Sequence, residues 1–353
     1  MTSLERVLTT ISHKEPDRVP LFLLLTMHGA KELGLSIRDY YNRAEYVAEG
    51  QLRLLKKYHS DCLYAFFYAA IEVEAWGAEV RFVDDGPPNA GAPLANTAME
   101  IKALKPPEVK GNRILERVLH AQTTMKTHVG NTVPIIGVVM SPFSLPVMQL
   151  GFERYLDIMF EEPESMKHLM AINEEFCVDW ANAQLAAGAT AITYFDPVSS
   201  STIIPPELYL KTGWDIACRT LSRIKGPTAT HLASGRALPI VNALAETGTA
   251  IIGVSVHEAL AALKTACLGK LTILGGLNGI EMRRWSTKEA EEAVKTAIHQ
   301  AGSGGGFILS DNHGEIPLQV TDEILLTISE AVGRWGRYPL ALDDDHSELP
   351  GVI

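Results

Sequence analysis

Cysteine is scarce: Cys62, Cys177, Cys218 and Cys267 lie far apart in 353 residues and form no CxxC pair. That spacing excludes a disulfide framework of the kind small secreted domains need, and it points to a reducing cytoplasm. Long apolar runs are also few. The best membrane candidate, Val133 to Phe152, carries no charge but contains Pro134, Pro142 and Pro146, so it reads as a buried strand plus a loop and not as a membrane span. MTSLERVLTT at the start is polar where an export signal needs an apolar core, so no export segment is expected. Positive charge is in deficit, with 31 Lys and Arg against 42 Asp and Glu and a net charge of −11. Nucleic acid and anionic membranes are therefore poor partners.

Several catalytic signatures are missing as well. No GK[ST] follows a glycine-rich loop, and GSGGGF at Gly302 precedes a strand where a nucleotide loop should follow one. No GxSxG elbow occurs. HEALA at His257 starts like a zincin HExxH, but its fifth residue is Ala261. Strand ends carry no lysine for a Schiff base. Glycines in GGLNG and near the last strand keep a phosphate-binding barrel as an alternative.

What is present is alternation. Eight β-branched or aromatic runs begin at Arg18, Asp61, Val133, Ala189, Gly226, Thr249, Lys270 and Gly305, with amphipathic helical stretches between them. Eight strands over ~320 residues, with no glycine-rich dinucleotide turn after the first, predict a single α/β domain, a (β/α)8 TIM barrel over residues 1–340. Residues 341–353 form an acidic tail. EVRFVDDGPPNAGAP, from Glu79, predicts a hairpin or lid over the mouth. Ser286 with Glu289 has capping-box spacing, and Pro163 fits the first turn of a helix.

In such a barrel the chemistry stands at the C-terminal strand ends. These run into Met27 and His28, Met140 and Ser141, Tyr194 and Asp196, His231, His257 and Glu258, Asn278, and finally Asp311, Asn312 and His313. Three neutral imidazoles and an open position are a catalytic zinc pattern, so His231, His257 and His313 are the candidate ligands, with Glu258 second to His257. The competing reading is that these histidines hydrogen-bond their loops and bind nothing.

The motifs ERVLTTISHKEPDRVP, IEVEAWGAEV, MSPFSLPVMQLGFERYLDIMFEEPESMKHLM, AAGATAITYFDPVSSSTIIPPELY, HLASG, GGLNG and LSDNHGEIP resemble, in that order, the uroporphyrinogen decarboxylase superfamily, from about Glu5 to about Arg337. The resemblance implies a (β/α)8 barrel and either a decarboxylase or a methyltransferase that works with corrinoid proteins. True decarboxylases carry an arginine-rich segment resembling RQAGRY after the first strand to meet eight carboxylates. LTMHGAKEL, Leu25 to Leu33, has no arginine there, and His28 with Lys31 is a poor substitute for bidentate pairing. Thiol-methylating relatives carry HxC and a distant Cys as zinc ligands; here Ala233 and His313 replace the two cysteines.

These substitutions harden the site and suit Zn²⁺ polarising an oxygen or nitrogen. The resulting expectation is a zinc-dependent methyltransferase. It takes a methyl group from a small O-methyl or N-methyl donor, methoxylated aromatics favoured, to the Co(I) corrinoid (cobalamin) of a carrier protein. Asp196 or Tyr194 would protonate or orient the departing atom, and His28, Asn278 and Asn312 would contact substrate. Alternatives are a methylcobamide:thiol methyltransferase, a divergent decarboxylase and a non-catalytic module that binds the corrinoid protein. A homodimer is compatible with each.

Overall fold

The computed structural model describes residues 1–341; apart from Ala341, the acidic tail lies outside them. Nine strands occur among these residues: β1 Leu63–Tyr64, β2 Val80–Arg81, β3 Asn89–Ala90, β4 Ile135–Met140, β5 Ala191–Phe195, β6 Thr228–His231, β7 Ile251–Gly253, β8 Thr272–Leu277 and β9 Phe307–Asp311. Seven form one parallel sheet in the order β1-β4-β5-β6-β7-β8-β9. Helices connect them and cover the outer face, which is why the strands read as nearly continuous apolar runs.

The eighth member is less regular than the sequence suggests. Between β9 and β1 runs an extended segment that bridges the sheet at Leu21, to Leu309, while Arg18 bridges Arg337 outside it. Phe22 N–H donates to Leu309 O and Leu309 N–H donates to Pro20 O, both at 2.9 Å, while Asp61 N–H donates to Leu21 O at 2.7 Å. The sheet thus closes into a barrel. No ladder extends along the segment because Pro20 has no N–H, and the Leu21 N–H goes to the Asp61 carboxylate at 2.8 Å. The same carboxylate, 1% exposed, takes Arg6 at 2.6 Å and Arg18 at 2.7 Å. One buried side chain therefore ties the first helix, Ser3–Ile11, and the irregular segment to the start of β1.

Alternate residues along each strand face opposite ways. Phe22, Leu24, Tyr64, Phe66, Val138, Leu274 and Ile308 meet in the lumen, plugged below by Val7. Leu21, Leu23, Leu25, Ile252, Ile273 and Leu309 pack outward on helices. On the other flank Leu63, Ala65, Val139, Ile192 and Tyr194 do the same.

Local expectations are met where the signals are local. Ser286 and Glu289 cap each other at helix Thr287–Ala301, and Pro163 opens helix Pro163–Ala186. β2 and β3 form the hairpin, which Gln319 holds to the loop after β9 through a 2.7 Å bond to Asp85 O. Val133 to Phe152 becomes β4, a turn and helix Leu145–Leu150. No helix among the described residues is long and apolar enough to cross a membrane.

Glu72, 2% exposed in helix Ile71–Ala75, accepts the Met140 N–H at 2.8 Å and so finishes β4. Burial raises its pKa to about 8, so it is largely protonated at neutral pH.

Two outcomes follow for stability. Asp61→Ala leaves the half-buried Arg18 and the buried Leu21 N–H without their carboxylate partner and Arg6 with Asp17 alone, and should cost about 3–5 kcal/mol in urea unfolding; a loss under ~1 kcal/mol contradicts this role for Asp61. The proton on Glu72 is held in the folded chain and lost from an unfolded carboxyl of pKa 4.5. Its stabilisation is complete below that value and disappears as pH rises through about 8. Glu72→Gln should therefore remove part of the stability loss over this window, and unchanged slopes in wild type and variant contradict the assignment.

Candidate active site

The register of β5 and β6 sets Phe195 opposite His231. Both rings turn into the mouth and stack with centroids 4.8 Å apart and planes 5° apart. The wall continues through Phe66, 6.3 Å from Phe195, and Tyr64, 5.5 Å from Phe66. On the other side of His231 stands Gly253, its register partner on β7. A Cβ there would come within 2.4 Å of His231 Cδ2, so only glycine leaves room for the ring.

His231 is 1% exposed. Its Nδ1 accepts the Ala233 N–H at 3.0 Å, and Ala233 adopts a left-handed φ of 51° to bring that N–H round. Nε2 is buried and has no partner. Burial, aided by the neighbouring His313, lowers the pKa to about 4. The ring is neutral at pH 7, and because a backbone N–H can only donate, its one proton sits on Nε2.

The loop after β9 lies across this wall. Asp311 Oδ2 accepts the His313 and Gly314 N–H groups at 2.9 and 3.2 Å, and the Tyr64 hydroxyl donates to Gly314 O at 3.0 Å. Gly314 has φ +90°, and a Cβ on it would meet Phe195 Cζ at 2.4 Å, so the loop backbone rests directly on the stacked rings. His313 Nδ1 contacts the Ser234 hydroxyl, while its Nε2 is buried without a partner. Burial, then the nearby His257, lowers its pKa. Burial also raises Asp311 and Glu315 to about 7, and Glu315 takes the Thr26 hydroxyl. Asn312 is fully buried with both amide atoms unpartnered. His231, His313, Asp311 through its Oδ1, and Asn312 are thus expected residues that keep buried polar atoms free here, and both ring nitrogens of the expected His28 are likewise buried without a partner.

Other expected site residues stand elsewhere. Alternation turns Tyr194 and Asp196 to the face opposite Phe195. Tyr194 packs among Cys177, Trp180, Ala217 and Leu221 under the helices. Asp196 accepts the hydroxyls of Ser141, Ser144 and Ser199 at 2.6, 2.7 and 2.6 Å, which makes it the anchor of the turn after β5 and not a group that reaches a departing atom. His257 is exposed on a turn beyond β7. Both Glu258 oxygens are occupied by the Ala237 and Leu238 N–H groups at 2.8 Å. Asn278 accepts the Glu281 N–H at 3.2 Å and caps a short turn. His28 is buried at the start of helix His28–Leu33, with Lys31, Asp322 and Lys57 as its charged neighbours and a pKa lowered chiefly by burial to about 4.

The aromatic wall, Gly253, Ser234 and Glu315 were not singled out by residue type. Period-two alternation from Tyr194 would have found Phe195, the residue facing the mouth.

These donors do not fit a zinc ion. A ligating histidine offers a lone pair to the metal and donates its other N–H to a second group; His231 accepts at that other nitrogen and carries its proton where the metal would sit. Among the described residues no three His, Cys, Asp or Glu side chains are grouped as a metal would need.

The family model for uroporphyrinogen decarboxylase (URO-D) matches residues 2–335. Uroporphyrinogen decarboxylases of Xylella fastidiosa and Idiomarina loihiensis are 24% and 22% identical to this chain, covering 94% of it in each case and 99% and 96% of those proteins. A methyltransferase from Methanosarcina mazei has the same fold, with a TM-score of 0.85 at 18% identity over 95% of this chain and 99% of its own. A B12-independent methionine synthase from Shewanella sp. W3-18-1 is a more distant structural likeness, with a TM-score of 0.52 at 14% identity over 91% and 95% of the two chains. With matched sequence running through almost the whole barrel, from the first helix to the last, the chain belongs to the uroporphyrinogen decarboxylase (URO-D) family.

Proposed function

We propose that this chain is a methyltransferase. It moves a methyl group from a small O-methyl or N-methyl donor, a methoxylated aromatic above all, to the corrinoid of a separate carrier protein. The observation that carries this reading is the lining of the mouth. Its wall is made of Phe66, Phe195 and the neutral ring of His231, beside the buried carboxyls of Asp311 and Glu315. In the segment after the first strand the buried residues are Thr26, Met27, His28, Gly29 and Ala30, with no arginine among them. A polycarboxylate would lose its hydration here and meet buried acids in place of cations. A flat, weakly charged aromatic finds ring faces and a few polar atoms, the usual composition of a small-molecule site.

The chain's own residues divide the work. The ring wall holds an arene, and the loop over Gly314 excludes water. His231 Nε2 and His313 Nε2 present free polar atoms to the heteroatom that carries the methyl group. Asp311 and Glu315, both raised to about 7, can hold a proton near neutral pH for a departing oxygen. Bound to its carrier, the corrinoid supplies a Co(I) nucleophile for the methyl group. Exposed Ile203, Leu238 and Ile280 follow β5, β6 and β8 on the rim, with Arg236 and Arg283 nearby in sequence. Exposed apolar side chains in these strand-end loops support docking of a separate carrier protein at the mouth.

Reaction of the purified protein with reduced cobalamin and a panel of methoxyarenes, methylamines and uroporphyrinogen tests the reading. Co(I) absorbance should decay only with a methyl donor, and Phe195→Ala should lower kcat/KM at least roughly tenfold through loss of a stacked ring. Decarboxylation of uroporphyrinogen without methyl transfer to cobalamin overturns the proposal.

A further inference from the structure

We infer that His231 is a fixed Nε2–H hydrogen-bond donor, and that it selects methyl donors whose leaving atom is an oxygen with a lone pair over methylammonium donors. The selection rests on the methyltransferase reading; the state of the ring does not.

Three constraints on different atoms fix the imidazole. At Nδ1, the 3.0 Å bond from Ala233 N–H sets the tautomer. Across the faces, Phe195 stacks at 4.8 Å on one side, and Gly253 leaves space for the ring only because it has no Cβ. About its own axis, the ring cannot turn over without placing Cδ2 against the Ala233 N–H and losing that bond. What remains is Nε2–H, buried and unpartnered. An isolated buried donor is costly and is normally satisfied by a partner. Here the missing partner is an acceptor from outside the protein.

The chemistry of that acceptor follows. An ether or phenolic oxygen keeps lone pairs while bonded to methyl, and gains charge as the O–CH₃ bond breaks and the electron pair stays on oxygen. A donor aimed at this atom is therefore stronger in the transition state than in the ground state. Protonated methylamines and quaternary ammonium ions have no lone pair on nitrogen, and they would set a cation against the N–H. Zinc at Nε2 would require removing the proton from that nitrogen and breaking the Ala233 bond. Gly253 and the Ala233 backbone are positioning residues, acting only through the ring.

The test is long-range ¹H–¹⁵N NMR on full-length protein labelled at histidine, with His231 assigned by comparison with His231→Gln. The expected spectrum is that of the Nε2–H tautomer, unchanged by one equivalent of zinc. 2-Methoxyphenol should shift the Nε2 proton, and tetramethylammonium should not. Gly253→Ala should displace the ring and weaken 2-methoxyphenol binding by roughly tenfold or more. Ala233→Gly keeps the backbone donor in a left-handed conformation that glycine accepts, and should retain the wild-type pattern if Gly253→Ala fails to fold. A proton on Nδ1, deprotonation of Nε2 by zinc, equal shifts with both probes, or no shift with 2-methoxyphenol overturns the inference. If the Nε2–H pattern and oxygen preference hold while no methyl reaches cobalamin, the methyltransferase reading fails and the fixed donor stands.

Discussion

Asp61 sits where the barrel has to close, and the geometry of the mouth is downstream of it. Its carboxylate takes the Leu21 N–H and two guanidiniums, so the proline-bearing first segment is held between β1 and β9 without a full ladder. Closure places Leu24 where its carbonyl accepts the Ile316 N–H at 3.0 Å, and that bond helps hold down the loop after β9. The loop in turn lays Gly314 on Phe195. A buried charge cluster at the start of the strands is thus linked to the packing at their ends by backbone hydrogen bonds, with the Asp311 carboxylate and the Tyr64 hydroxyl fixing the loop beside them. Removing one member of such a cluster exposes the desolvation cost of the others, which is why it acts as a constraint more than as a source of net stability.

A second constraint, the alternation of side chains along the strands, decides which chemistry the mouth can have. It delivers Phe195 and His231 to the same space and sends Tyr194 and Asp196 under the helices. Among the described residues at the mouth, the buried polar side-chain atoms without a partner are His231 Nε2, His313 Nε2, Asp311 Oδ1 and the Asn312 amide. They stand beside stacked rings and carboxyls whose pKa values lie near neutrality. That lining is the basis on which a flat, weakly charged molecule, and not a polyanion, is proposed as the substrate. Family membership leaves both decarboxylation and methyl transfer open; the lining is what favours methyl transfer in the proposed reading.

The fold was legible because its signals are local. Eight apolar runs, the Ser286–Glu289 cap, Pro163 and the Glu79 hairpin all depend on neighbours in sequence. The first run was less so, since the group that takes the Leu21 N–H is 40 residues away. Site residues were harder. Tyr194, Asp196 and His257 stand out by residue type at strand ends, whereas access depends on facing and on where the chain turns. Ala233 shows the difference most directly. As a residue type it registers as a missing cysteine ligand, but as backbone it supplies the N–H that sets the His231 tautomer. The unusual φ of 51° behind that contact has no counterpart in the letter A.

In the proposed reading a methyl-bearing oxygen, and not a metal, takes the space in front of His231. Anomalous diffraction at the zinc edge, from crystals grown with both zinc and 2-methoxyphenol, addresses it directly. The expected result is no zinc peak at His231 and an ether oxygen within hydrogen-bond distance of Nε2, roughly 2.7–3.2 Å. A zinc peak bonded to His231 Nε2, with the Ala233 contact broken, would contradict it.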